Sequence, residues 1–287
     1  MKTYFDCIPC FLKQSLEAAR MATDDVNVHS NVLKEVMNHL QTISFSNSPP
    51  EISREVHQII KQLTHSEDPY LKVKNQSNLM AKKMLPKLKK KVNEADDSLL
   101  MSIKLAIAGN VIDFGTSNRF NVEDIVKNVM KKDFVDQGYK EFKKTLGHSN
   151  NILYLADNSG EIFFDKILIE EFEKLGKKVI FVVKSNPIIN DANLEDAKFA
   201  GIDKIATVIA GDKGQKISAP GMLMPYVSNE FLELFKTSDM VISKGQGNYE
   251  CLSNTDRKIF FLLMIKCPLV AKDIGIDVGK LVLKVKN

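Results

Sequence analysis

No run of apolar residues in this 287-residue chain is long enough to cross a membrane. The opening residues, MKTYFDCIPC, lack the long apolar core of a secretory signal. Cysteine is scarce: four thiols in a chain of this size, with no secretory signal, do not make a disulfide scaffold. These absences predict a cytoplasmic protein with no membrane partner. Several signatures are missing as well. There is no P-loop, no HExxH, no second CxxC and no internal repeat. Basic stripes with interleaved aromatics are absent too, which argues against nucleic acid. What is present is ordinary for a globular chain, with length for one large domain or two modest ones. A net charge of +4 suits an anionic substrate.

The chain changes character near residue 148. Helical apolar spacing marks 6–22, 29–43, 50–64 and 68–92, with Pro86 expected to kink or end the last of these. A mostly apolar segment at 98–115 predicts a buried helix bent or ended near Gly109, and 122–134 and 139–146 complete the helical part. Beyond it, short β-rich runs stand at 151–156, 178–184, 204–209 and 239–244, with two more at 260–265 and 280–285. Helical patterns at 161–175, 193–200 and 228–236 separate most of them. Such alternation predicts an α/β fold with a mainly parallel sheet covered on both faces. The expected division is 1–148, helical, and 149–287, α/β. Lys82, Lys83, Lys87, Lys89, Lys90 and Lys91 read as a solvated helix face.

Four polar clusters end or interrupt the apolar runs. Asp157-Asn158-Ser159-Gly160-Glu161 closes the first strand and opens a helix. Its carboxylate and amide offer hard oxygen ligands for a divalent metal, and the helix start behind Gly160 favours anions. Taken alone, an Asp-Asn pair more often caps a helix. Asp191, in the loop after the next strand, could add a second carboxylate to the same metal, or it or Asn193 could cap the helix that starts at Leu194. Lys244 precedes the glycine-flanked Gly245-Gln246-Gly247 at a third strand end, where it could meet a phosphoryl oxygen or remain an ordinary solvated lysine. Asn110 and Asp113, three apart in AGNVIDFG, share a helix face and read either as a structural hydrogen-bond pair or as part of the same pocket.

Together ADNSGEIFFD, SNPIINDANLEDA, SKGQGNYE and AGNVIDFG resemble the signature motifs of the damage-control phosphatases, the ARMT-like family long catalogued as a domain of unknown function. The resemblance runs nearly end to end. CIPC and DPYLKVKNQSN are similar to the prokaryotic cysteine-bearing subgroup. It implies a helical N-terminal part on a Rossmann-like three-layer α/β/α domain. It also implies one divalent metal (magnesium, manganese, cobalt or nickel) held by Asp157, Asn158 and Asp191. Lys244 would bind the phosphate, and Asn110, Asp113, Ser159, Gly160, Glu161 and Gly245 would line the substrate site. The implied activity is metal-dependent hydrolysis of phosphomonoesters of small metabolites, sugar phosphates or damaged phosphometabolites, with Asp157, Asp191 and Lys244 catalytic. The attacking group is water or Asp157 itself.

Two rival classes remain at this stage. One is an S-adenosylmethionine-dependent carboxyl methyltransferase, which the acidic, single-glycine first turn disfavours. The other is a non-enzymatic phosphometabolite-binding protein. Cys7 and Cys10 read as a redox pair, half of a metal site, or packed thiols, the last being favoured. The sequence leaves the oligomeric state open.

Overall fold

The computed structural model describes residues 1–109, 134–214 and 218–286. Asn110 and Asp113 lie outside the described residues, as does nearly all of the helix expected at 122–134. The chain is mixed α/β, with a helical N-terminal part and a mostly parallel sheet.

Helices α1 (Cys7–Ala22), α2 (Val26–Leu40) and α3 (Pro49–Thr64) pack on one another around Phe11, Val32, Val36, Ile52 and Ile60. Helix α3 opens on Pro49 and Pro50, where the missing N–H is no loss because the first turn has no intrahelical acceptor for it. Helices α4 (Leu71–Asn93) and α5 (Ser98–Ala108) lead toward the sheet. Of the kink or end expected at Pro86, the end does not occur: α4 runs through it, with Ala81, Met84, Leu88 and Val92 buried on both sides of the proline.

The remaining elements are β1 (Phe134–Gln137), α6 (Tyr139–His148), β2 (Asn151–Leu155), α7 (Ile162–Lys174), β3 (Lys178–Val183), α8 (Leu194–Ala200), β4 (Thr207–Ala210), α9 (Asn229–Thr237), β5 (Met240–Lys244), α10 (Gln246–Leu252), β6 (Ile259–Met264), α11 (Pro268–Ile274) and β7 (Leu281–Lys286). Their strands form one sheet in the order β1-β7-β6-β5-β2-β3-β4. Every pairing is parallel except β6 with β7. The central strands β2 and β5 are almost wholly buried, as expected of parallel strands covered on both faces. One apolar core lies between the sheet and α4 to α8, and a second lies on the other face beneath α9, α10 and α11. The sheet takes β1 from before residue 148, and α5 packs against α7. Among the described residues, no helix is long and apolar enough to cross a membrane.

The topology fixes where a ligand belongs. From β2 the chain moves outward to β3 and β4, then returns to β5 on the other side of β2. That reversal opens a crevice at the carboxyl ends of β2 and β5, the usual binding position in open α/β sheets.

Candidate active site

Asp157 and Asn158 leave β2 at this crevice. Backbone pairing brings Asp191 to them: Asn158 and Asp191 form an antiparallel bridge, and the Ala192 N–H donates to the Asp157 carbonyl at 2.8 Å. The Ser159 N–H donates to the Asn190 carbonyl at 2.9 Å, and the Lys184 N–H, at the end of β3, donates to the Ala192 carbonyl at 2.9 Å. Residues 190–193 are thus clasped between the two strand ends. The clasp is reached through Ile189, a β-branched residue held at φ 45°, a conformation rare for such side chains. Asn193 and Asp196 close a reciprocal capping box at the start of α8, so the capping role weighed for Asn193 is real. Asp191 stays two residues outside that cap.

A buried polar network from α4 secures the turn after Asn158. The Asn78 amide accepts from the Gly160 N–H at 2.7 Å and donates to Asp196 at 2.6 Å. Asp196 also accepts from the Ser159 hydroxyl at 3.0 Å and pairs with the buried Lys74 at 3.2 Å. The N–H groups of Ser159 and Gly160 are therefore engaged within the protein rather than presented to an anion.

Lys244 has the same fate. Its side chain is fully buried, and its ammonium donates to the Ala106 carbonyl at 2.8 Å, Glu161 at 2.5 Å and Asp165 at 2.6 Å. A lysine has three N–H donors, and all three are spent. Burial works against the charge, but Asp165 and Glu161 more than offset it and hold the ammonium protonated above the usual lysine range. Tyr154 completes the cluster by donating to Asp165 at 2.8 Å. In this arrangement Lys244 braces the start of α7 from behind and does not reach the cavity. Gly109, at the end of α5, packs against Glu161 and Phe164, so the segment that leads to Asn110 starts beside this brace.

The cavity over the crevice has a volume of about 290 Å³. Asp157, Asn158 and Asp191 line it; Ser159, Gly160, Glu161, Lys244 and Gly245 do not. Its far wall comes from α1 and α3 through Phe11, Pro49 and Pro50. Glu250 of α10 also faces it, as do Cys7, Cys10 and Cys267. All four cysteines are free, and burial is the chief cause that raises the Cys7 and Cys10 thiols. Cys251 lies apart from the three, against Gly221.

Among the described residues, no group of three or more His, Cys, Asp and Glu side chains is placed to hold a metal. The donor set at the crevice is two carboxylates and an amide, and it fits a hard divalent ion. Asn158 spends its amide N–H bonds on Asp157 at 2.8 Å and Glu161 at 3.1 Å, which turns its oxygen the other way. Burial pushes the Asp191 carboxyl up to about 8 against the pull of Lys184, and the nearby Asp157 charge adds to the rise. Two carboxylates in mutual repulsion at a buried wall are the environment a cation relieves.

Sequence reasoning missed two of the charged groups here. Lys184 is buried, its ammonium 3.6 Å from Asp191 and, among the described residues, without a hydrogen-bond partner. Its signal was available: a lysine directly follows β3, much as Lys244 ends β5. Glu250 was passed over inside the SKGQGNYE motif.

Fold and site define an α/β protein with a carboxylate-lined cavity at the switch point of a parallel sheet. The profile of the damage-control phosphatase ARMT1-like domain matches residues 3–282, and the chain belongs to that family. It is 36% identical to a damage-control phosphatase of Archaeoglobus fulgidus over 97% of each chain. It is equally identical to a damage-control phosphatase of Pyrococcus horikoshii, over 98% of this chain and 97% of that one. The crystal structure of a DUF89 family protein from Pyrococcus horikoshii superposes with a TM-score of 0.92 at 33% identity, covering 100% of both chains.

Proposed function

We propose that this chain is a divalent-metal-dependent phosphatase acting on phosphomonoesters of a small metabolite, such as a sugar phosphate or a damaged phosphometabolite. Family membership and the relatives' names support a phosphatase role. The observation that carries the metal dependence is the backbone clasp that sets Asp157, Asn158 and Asp191 on one cavity wall. When bound there, a magnesium, manganese, cobalt or nickel ion supplies Lewis-acid polarisation of the phosphoryl oxygens. Lys184 holds Asp191 from behind. Lys244 fixes Glu161, and through it the Asn158 amide. The helical part, 1–148, supplies the outer wall, and 149–287 carries the donors. Attack is by water or by Asp157, and labelled substrate distinguishes them: label on the protein that disappears in Asp157→Ala requires Asp157.

The test strips the protein with chelator, resupplies each divalent ion, and follows phosphate release from p-nitrophenyl phosphate and a panel of sugar phosphates. Ion-restored release that disappears in Asp157→Ala and Asp191→Ala is expected. Near-normal turnover in both variants overturns the donor assignment. No release with any ion, from folded protein, returns the question to a binding protein or a methyltransferase.

A further inference from the structure

The cavity contains a carboxyl group that the reading above leaves unused. Glu250 is only 8% exposed yet lines the cavity together with Asp157, Asn158 and Asp191. Helix α10 presents it one turn after Gln246, whose amide donates to Glu250 Oε1 at 2.9 Å. Among the described residues, no lysine, arginine or histidine forms an ion pair with it. A buried carboxyl with a neutral hydrogen-bond donor and no ion-pair partner favours the protonated form.

Its position is specific. Asp157 lines the cavity with it, as do Cys7, Cys10 and Cys267. The amino group of Met1 donates to the Glu250 backbone carbonyl rather than to its carboxyl. Glu250 thus shares one cavity with the strand-end donors Asp157, Asn158 and Asp191 and with Cys7, Cys10 and Phe11 of the wall built by α1. A phosphomonoester seated with its phosphoryl group at the donors and its organic part toward that wall places its bridging oxygen beside Glu250.

We infer that Glu250 is the general acid that protonates the departing alcohol. The inference rests on the phosphatase reading. As the bond between phosphorus and the bridging oxygen breaks, its electron pair passes to that oxygen, which takes the Glu250 proton and leaves as a neutral alcohol. In the direct route a water oxygen forms the new bond to phosphorus; in the covalent route an Asp157 oxygen forms it, and water then displaces that carboxylate, which keeps the electron pair of the broken bond. In both, a water proton returns to Glu250. Ester and water are consumed; alcohol and inorganic phosphate are formed. Burial is the chief cause that raises this carboxyl, against the Gln246 hydrogen bond and the Met1 amino group, the direction a proton donor near neutral pH needs.

Leaving-group dependence tests the assignment. An alkyl phosphate needs its leaving oxygen protonated, whereas p-nitrophenolate departs readily without a proton. Glu250→Gln is expected to lose on the order of 10²-fold or more in kcat on a sugar phosphate, within the range for general acids. Its loss on p-nitrophenyl phosphate is expected to be at least tenfold smaller. Glu250→Asp, which keeps an acid at shorter reach, should recover part of the sugar phosphate rate. Equal losses on both substrates in Glu250→Gln, with Glu250→Asp no better on either, overturn the acid while wild-type turnover keeps the phosphatase reading intact. Absence of wild-type release with every ion overturns both.

Discussion

Gly245 and Asp157 meet at the switch point between β5 and β2. Gly245 adopts φ 79° and ψ 165°, and a methyl group on it would overlap the Asp157 carboxylate. The glycine therefore serves two demands at once: a backbone conformation other residues resist and the space Asp157 occupies.

Gly245→Ala should displace Asp157 and add backbone strain of about 1–3 kcal/mol. Calorimetric titration of the metal-free protein with manganese or nickel should show weakened binding, with a lowered melting temperature. Full ion affinity at a lowered melting temperature would show that β5 moves and Asp157 does not.

Lys244→Met separates the brace from a phosphate contact. Removing the ammonium leaves Glu161 and Asp165 buried without their cation, a loss on the order of 3–5 kcal/mol in urea unfolding. A phosphate contact alone would leave stability unchanged and raise KM.

Asn78 joins α4 to the turn after Asn158. Asn78→Ala strips a hydrogen bond from the Gly160 N–H and another from Asp196, costing about 1–3 kcal/mol of stability. Weakened divalent-ion binding should accompany the loss, because the turn that positions Asn158 is loosened. Unchanged ion affinity at reduced stability would confine Asn78 to a structural role.

His57 gives the fold an acid-sensitive point. Burial pushes its imidazole down to about 4, with a hydrogen bond to the Ser53 carbonyl opposing. The folded state therefore binds a proton less readily than the unfolded chain, whose histidine titrates near 6.5. Its contribution is intact above pH 6.5 and is lost as pH falls from there toward 4, by about 3 kcal/mol in total. Urea unfolding at pH 7 and pH 4.5 should show a smaller pH decrement in His57→Gln than in the wild type.

Much of this architecture is legible in the residues. Period-two and continuous apolar runs mark six strands because a buried parallel strand has few alternatives to Val, Ile, Leu and Phe. Asp157 and Asn158 stand out because polar residues end such a run. Strand β1 escapes notice: its four residues, Phe-Val-Asp-Gln, are too few for a period and two are exposed. Helices α10 and α11 are seven residues each, too short for spacing alone to mark, whereas the equally short α8 carries the Asn193 and Asp196 capping box. The partners of Lys244 were hidden because Glu161 and Asp165 lie 83 and 79 positions away, although their i, i+4 spacing before and within α7 marks a shared polar spot on an apolar helix. The same limit applies to Glu250, whose neighbours Asp157 and Cys7 are supplied by distant segments.

The clasp between residues 157–158 and 190–193 has a consequence for how such a protein changes. Main-chain pairing, rather than side-chain shape, sets the gap between Asp157 and Asp191. Phe11, Pro49 and Pro50 sit on a three-helix unit with its own core, against which Ile189 packs. Substitutions there can reshape what fits the cavity while the carboxylate gap stays put. Under the proposed assignment, chemistry and choice of substrate are written on different stretches of chain, free to drift at different rates.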